Sequence, residues 1–383
     1  PAPIGKKAAD AAPLKVERRE LAGRPNEDLL TADYRGLFRV VAHRGSTATG
    51  TSPDHILLLL GSSASGTETP IRPGVFVRGQ LAELDLDQWL ALYAREKPRG
   101  AGGTDAATDG HALALNGVDL DVGKFEVFGR VLHDFKVTAQ RAGQDWQLAM
   151  HGREVEGNAT WRGPSTELPN GRVIARLTRL VPPGPGELHP VRGELDPAKG
   201  AANPWPELDI VSDTFVSKGH DLGSLKLVAK PVTTDWRIEQ LALANPDGRI
   251  DANGWWRVHG ERQRTELDVA VNVEDAGGYL ARFGSGESVR KAPTKITGQL
   301  QWTGAPNDFD YPTLTGAFKL QSGAGQFTKI DPGIGKLLGV LSLQALPRRI
   351  TLDFNDVFSE GFAFDDITGD FRIDNGQMHT DNL

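Results

Sequence analysis

The chain has 383 residues, a net charge of −7 and no cysteine. The length allows roughly two or three domains or one long repetitive architecture, and a 39% hydrophobic content is too high for a disordered chain. The acidic balance and scattered basic residues exclude a nucleic-acid footprint, and the missing cysteines exclude disulfides, thiolate metal sites and a Cys nucleophile.

In chain order, the first strong signal is "HILLLLGSS" (His55 to Ser63). It is far shorter than the ~20 apolar residues of a membrane span and reads as a buried strand. "LDLDQWLALYARE" follows, with Leu86, Trp89, Leu90 and Tyr93 at helical spacing, so a short helix is expected near 85–96. Residues 97–110 are rich in Gly and read as a loop. "GKFEVFG" then places Phe125 and Val127 on one face of a strand.

Residues 182–206 are rich in Pro and Gly and lack periodicity, which reads as a linker or a long surface loop. This separates the chain into β segments over 1–181 and 207–383. Beyond it, "SLKLVAK" puts Leu225, Leu227 and Ala229 on one face. "TELDVAVNV" puts Leu267, Val269, Val271 and Val273 on one face and Glu266, Asp268, Ala270 and Asn272 on the other. "EDAGGYLARFG" predicts a second short helix near 274–283, weakened by two glycines. It aligns without gaps on the first: Asp85, Trp89, Leu90, Ala91 and Tyr93 match Asp275, Tyr279, Leu280, Ala281 and Phe283. Such an internal repeat points to stacked supersecondary units. "PGIGKLLGVLSLQAL" predicts a third helix near 333–346, with Ile334, Leu337, Leu338 and Leu341 forming an apolar stripe. At roughly 21 Å it is too short to cross a bilayer. Phe371 and Ile373 in "GDFRIDNG" form the last one-sided strand.

The chemistry of a reactive centre is missing from this pattern. The nine histidines show neither His-x-His nor His-x-x-x-His spacing, so a zinc helix is excluded and no metal is expected. "GIGKLLG" lacks the Ser or Thr and the glycine spacing of a phosphate loop. Asp85/Asp87 and Asp119/Asp121 read as a helix cap and a solvated strand face. No nucleophile sits beside a base, so neither enzymatic activity nor a cofactor is expected.

One-sided strands must cover their apolar faces. Two readings remain open from the residues alone. One is a β-sandwich, which would make the chain a structural or interaction scaffold. The other is one long sheet curled so that its apolar face lines a groove, whose natural occupant is an acyl chain.

A resemblance favours the groove. "LSLQALPRR", "LDFNDVFSEGFAFD" and "GDFRI", within Gly335 to Leu383, resemble the C-terminal region of the YhdP branch of the AsmA-like superfamily of Gram-negative envelope proteins. "GQLAELDLDQWLAL" resembles the superfamily's recurring strand-to-helix element. The resemblance implies a mainly β fold: a long curled antiparallel sheet forming a hydrophobic groove, with a few short helices. It implies phospholipid transport between inner and outer membranes, and a periplasmic location with an inner-membrane anchor outside this chain. The chain is expected to be a fragment of a longer protein. The candidate lining residues, chosen for apolarity, are Phe125, Val127, Leu225, Leu227, Leu267, Val269, Val271, Phe371 and Ile373. The expected partners are phospholipid acyl chains and, at the ends of the full-length protein, membranes. Ile334, Leu337, Leu338 and Leu341 are candidates for a plug or cap over the groove.

Overall fold

A computed structural model of the chain describes residues 14–21, 27–35, 37–47, 50–65, 73–88, 114–127, 130–182, 205–259, 262–283, 289–306, 308–328 and 362–383. The protein is mainly β. It divides into two compact units, one formed by residues 1–164 and 181–195, the other by 165–180 and 196–383.

In unit 1 the strands follow chain order: β1 (Lys15–Glu20), β2 (Asp28–Tyr34), β3 (Phe38–Thr47), β4 (Gly50–Gly61), β5 (Gly74–Asp85), β6 (Leu115–Val127), β7 (Arg130–Ala142), β8 (Asp145–His151) and β9 (Val155–Arg162). Neighbouring strands pair antiparallel except β4–β5 and β5–β6, which are parallel. A parallel pair needs a crossover of about a dozen residues or more. Residues 62–73 and 86–114 supply those lengths. The sheet is therefore mixed, antiparallel in its meanders and parallel at its crossovers.

β4 carries the "HILLLL" run, and it is covered on both sides. Leu57 and Leu59 are buried, while Leu58 and Leu60, pointing the other way, are half-buried. The short 3-10 helix Ser62–Ser65 sits against this strand with Ala64 fully buried. Farther on, Val122, Phe125 and Phe135 form one apolar cluster, with Phe125 and Phe135 stacked at 5.2 Å. Val122 and Phe125 are an odd interval apart and would face opposite ways on a regular strand. Asp134, opposite this stretch, has φ of 49°, a local departure from extended backbone where the alternation breaks. At the near end of the unit, Asp28 is almost fully buried between two arginines. Arg44 donates to it twice at 2.6 Å and Arg18 once at 2.5 Å. The Arg44 hydrogen bonds, helped by Arg18 and opposed by burial, hold its carboxyl down at about 2.

Unit 2 is a more regular meander. Its strands are β10 (Arg172–Leu180), β11 (Glu207–Ser217), β12 (His220–Asp221), β13 (Ser224–Val232), β14 (Asp235–Asn245), β15 (Gly248–His259), β16 (Arg262–Val273), β17 (Val289–Lys291), β18 (Thr294–Thr303), β19 (Thr315–Ser322), β20 (Gly325–Phe327), β21 (Phe362–Phe364), β22 (Ile367–Asp374) and β23 (Gln377–Thr380). The main sheet runs β10-β11-β13-β14-β15-β16-β18-β19-β22-β23, antiparallel except for parallel β10–β11. The Pro/Gly-rich stretch at 182–206 thus separates two strands that lie side by side. β17, β20 and β21 form a separate small sheet.

The helix expected near 274–283 is α1, Ala276–Arg282. Asp275 caps it, its carboxylate accepting from the Gly277 and Gly278 amides at 2.9 and 3.2 Å. Such a cap contributes ~1 kcal/mol. The repeat in unit 1 uses the same device: the Asp85 carboxylate accepts from the Gln88 amide at 2.8 Å, where residues 86–88 begin a helix. Residues 89–96 of the helix expected near 85–96 and the segment at 333–346, with Ile334, Leu337, Leu338 and Leu341, lie outside the described residues.

Candidate functional site

The unit 2 sheet sorts its side chains by face. On β16, Leu267 and Val273 are buried and Val269 and Val271 half-buried, while Asp268, Ala270 and Asn272 are exposed. Residues paired directly across strands share a face, so the register extends this face sideways. One row reads Leu227, Leu241, Ala252, Val269, Gly298, Phe318 and Phe371. The row on one side reads Ile238, Gly254, Leu267, Leu300, Gly316 and Ile373. The row on the other reads Leu225, Leu243, Ile250, Val271, Ile296 and Leu320. No charged side chain interrupts these three rows.

The glycines in the rows are set by close approach. A Cβ on Gly298 would lie 2.3 Å from the Ala317 carbonyl oxygen and 2.5 Å from the Phe318 Cα. Phe318 in turn stacks on Phe371 at 5.1 Å. The large ring fills the space that the glycine leaves, which is the large-against-small pattern of a packed sheet face.

Both ends of this face are closed. At the Leu267 end, Trp302 is buried, donates from Nε1 to the Ala305 carbonyl at 3.1 Å and packs on Phe309 at 4.9 Å. Leu314 joins the same cluster, so the connection from β18 to β19 folds over the strand ends as an aromatic lip. At the Val273 end, Thr294 and Ser322 are buried and share a hydrogen bond at 2.9 Å. Nearby α1 buries Tyr279, whose hydroxyl has no hydrogen-bond partner among the described residues; burial pushes it up to about 12. Between the two closed ends, the Val269 and Val271 rows keep most of the partly exposed apolar surface.

The opposite face is polar. A depression of about 880 Å³ on this sheet is lined by Glu239, Asp251, Asp268, Lys319 and Asp370 and also by Ala252, Val269, Gly298, Phe318 and Phe371 of the central row. Each carboxylate there has a partner: Glu239 has Lys230, Asp251 has Arg249, Asp268 has Gln299, and Asp370 has Lys319 and Asn382. The Asn382 hydrogen bond, with the Lys319 charge, lowers the Asp370 carboxyl below its ordinary range. The carboxylates of this face thus have their charges matched.

Seven of the residues expected to line a groove come together in the three rows of unit 2: Leu225, Leu227, Leu267, Val269, Val271, Phe371 and Ile373. Phe125 and Val127 belong instead to the unit 1 cluster with Phe135. Reading strand by strand missed Leu241, Ile296, Leu300 and Phe318, which the register adds to the same face. Their alternation was present in the sequence, as in Ile296, Gly298 and Leu300. The interleaved glycines lower the apolar contrast that marks a strand. Among the described residues no helix is long and apolar enough to cross a membrane.

The intermembrane phospholipid transporter YhdP of Escherichia coli (strain K12) is 26% identical over 303 residues, covering 77% of this chain and 23% of that protein. The chain therefore corresponds to about a quarter of that relative's length. No solved structure matches the chain. The YhdP protein family matches over residues 1–383, and the chain belongs to that family.

Proposed function

We propose that this chain is a segment of a protein that moves phospholipid between the inner and outer membranes, lying in the periplasm with its anchor elsewhere in the full-length protein. Supporting this reading is one observation above all: three adjacent uncharged rows on one face of the unit 2 sheet, set against a polar, charge-matched back. The relative's printed role as an intermembrane phospholipid transporter supports it from outside the structure.

The mechanism is passive. The sheet curls around its apolar face to make a groove. Acyl chains lie along the Val269 and Val271 rows, and each buried methylene contributes ~0.8 kcal/mol. Similar rows repeated side by side present similar binding energies, so a lipid moves without meeting a deep trap. Head groups stay at the wet rim. In unit 1, Phe125 and Val127 are proposed to line that unit's own apolar surface. No step requires a reactive group.

The test is a photo-crosslinking amino acid placed at Val269 or at its neighbour Asp268 in cells. Val269 points to the apolar face and Asp268 to the polar one. Phospholipid captured at Val269 and much less at Asp268 is the expected result. Equal capture at both positions would overturn the groove assignment.

A further inference from the structure

A second site lies in unit 1, far in character from the apolar rows. β3 and β4 pair His43 with His55 and Arg44 with Pro53, leaving Asp54 as an extra residue where the register shifts. Consecutive strand residues normally face opposite ways. A bulge breaks that rule and re-aims side chains, so Asp54 and His55 both reach His43. His43 Nδ1 lies 2.6 Å from Asp54 Oδ1, and His55 Nδ1 lies 2.8 Å from the same oxygen. The two imidazoles meet edge to face at 5.2 Å. On its far side, His43 Nε2 lies 3.1 Å from Glu27 Oε2.

Protons satisfy His43 by itself: a doubly protonated imidazole donates from Nδ1 to Asp54 at 2.6 Å and from Nε2 to Glu27 at 3.1 Å. They leave His55 Nδ1 to be explained. His55 Nδ1 adds an independent observation: it is buried, close to the same carboxylate oxygen, yet makes no hydrogen bond. Two imidazole nitrogens and a carboxylate thus converge within 4.8 Å of one another, a donor set suited to zinc and similar divalent ions.

We propose that His43, Asp54 and His55 bind a divalent transition-metal ion of the zinc type, with Glu27 orienting the His43 ring from behind. Ligand atoms around a tetrahedral ion with ~2.0–2.1 Å bonds stand roughly 3.3–3.4 Å apart. The side chains must therefore open by ~0.5–0.8 Å, a small rotation at partly exposed residues. Solvent supplies the remaining position. The bound ion ties β3 to β4, with Glu27, just ahead of β2, joined through the His43 ring, and acts as a clasp at that end of unit 1. It takes no part in lipid binding, so the proposal stands or falls independently of the groove.

The experiment uses the purified 383-residue chain, stripped with a chelator and titrated with zinc at neutral pH against a chromophoric competitor. Stoichiometric zinc is expected, with the melting temperature raised on binding and the affinity lowered at least tenfold in His43→Gln and in His55→Gln. Glu27→Gln, a positioning change, should weaken binding less and leave the stoichiometry unchanged. Exposed His220 and His259 are the controls, and their Gln variants should bind as the parent does. Absence of zinc uptake by the parent would overturn the site, as would uptake that neither histidine variant weakens. If the His43 variant fails to fold, His55→Gln alone decides.

Discussion

β4 and β16 are both twelve-residue strands, yet they carry opposite lessons. In β4 successive leucines are covered in turn on both sides, Leu57 and Leu59 on one and Leu58 and Leu60 on the other. In β16 apolar and polar residues alternate and only one side is covered. The difference follows from the connections. β4 meets a parallel neighbour through a crossover whose first turn, Ser62–Ser65, packs back on the strand. β16 sits between antiparallel neighbours in a meander, with nothing required to lie over its second face. β4 is apolar on both sides. β16 has a single apolar face, buried at Leu267 and Val273 and partly exposed at Val269 and Val271.

The widest test of that contrast puts a carboxylate into each strand. Leu59→Asp should prevent unit 1 from folding, because an unpaired buried charge costs several kcal/mol. Val269→Asp, at a half-buried position, should keep the chain folded by circular dichroism while removing phospholipid detected by native mass spectrometry. If Val269→Asp unfolds the protein as Leu59→Asp does, the unit 2 face is ordinary core and the contrast collapses. A smaller effect is expected from Gly298→Ala. Its new methyl meets the backbone of β19, and the overpacking should cost about 1–3 kcal/mol in urea unfolding without changing the polar face. An unchanged denaturation midpoint would mean that the two strands are less closely apposed.

The smallest effect belongs to pH and to unit 1. Asp28 has a carboxyl held at about 2 in the folded chain, below the ~3.9 of an unfolded aspartate. A depressed carboxyl contributes stability that is complete above its unfolded value and is lost as pH falls through its folded value. Unit 1 should therefore weaken between about pH 4 and pH 2, and Asp28→Asn should flatten that part of the stability curve. The same slope in parent and variant would assign the acid sensitivity to other carboxylates.

Much of this was readable residue by residue. The period of two in "TELDVAVNV" and "GDFRIDNG" became β16 and β22, with the expected faces. The Asp275 cap and the short helix after it were equally visible, as was the capping role of Asp85. Three features were not. The parallel pairs hid behind stretches that look like linkers, since a crossover and a linker share the same composition. Phe125 joined Phe135 because the alternation breaks near Asp134, and a non-glycine residue at positive φ leaves little trace in a pattern. His43 and His55 escaped any search by spacing. They meet across a hairpin, where the register sets the interval and the helical or His-x-His periods do not apply.

The sequence by itself determined which side chains share a face within each strand, because that follows from backbone geometry over a few residues. It also determined the main punctuation, through turn residues and helix caps that act locally. Tertiary structure alone decided which strands became neighbours, and hence which faces joined into continuous rows. Closing a longer loop costs only ~0.6 kcal/mol per doubling of its length, so the connections constrain pairing weakly. The choice falls to side-chain packing between residues far apart in the chain. Packing of that kind set Phe318 beside Phe371, and a bulge brought Asp54 and His55 to His43.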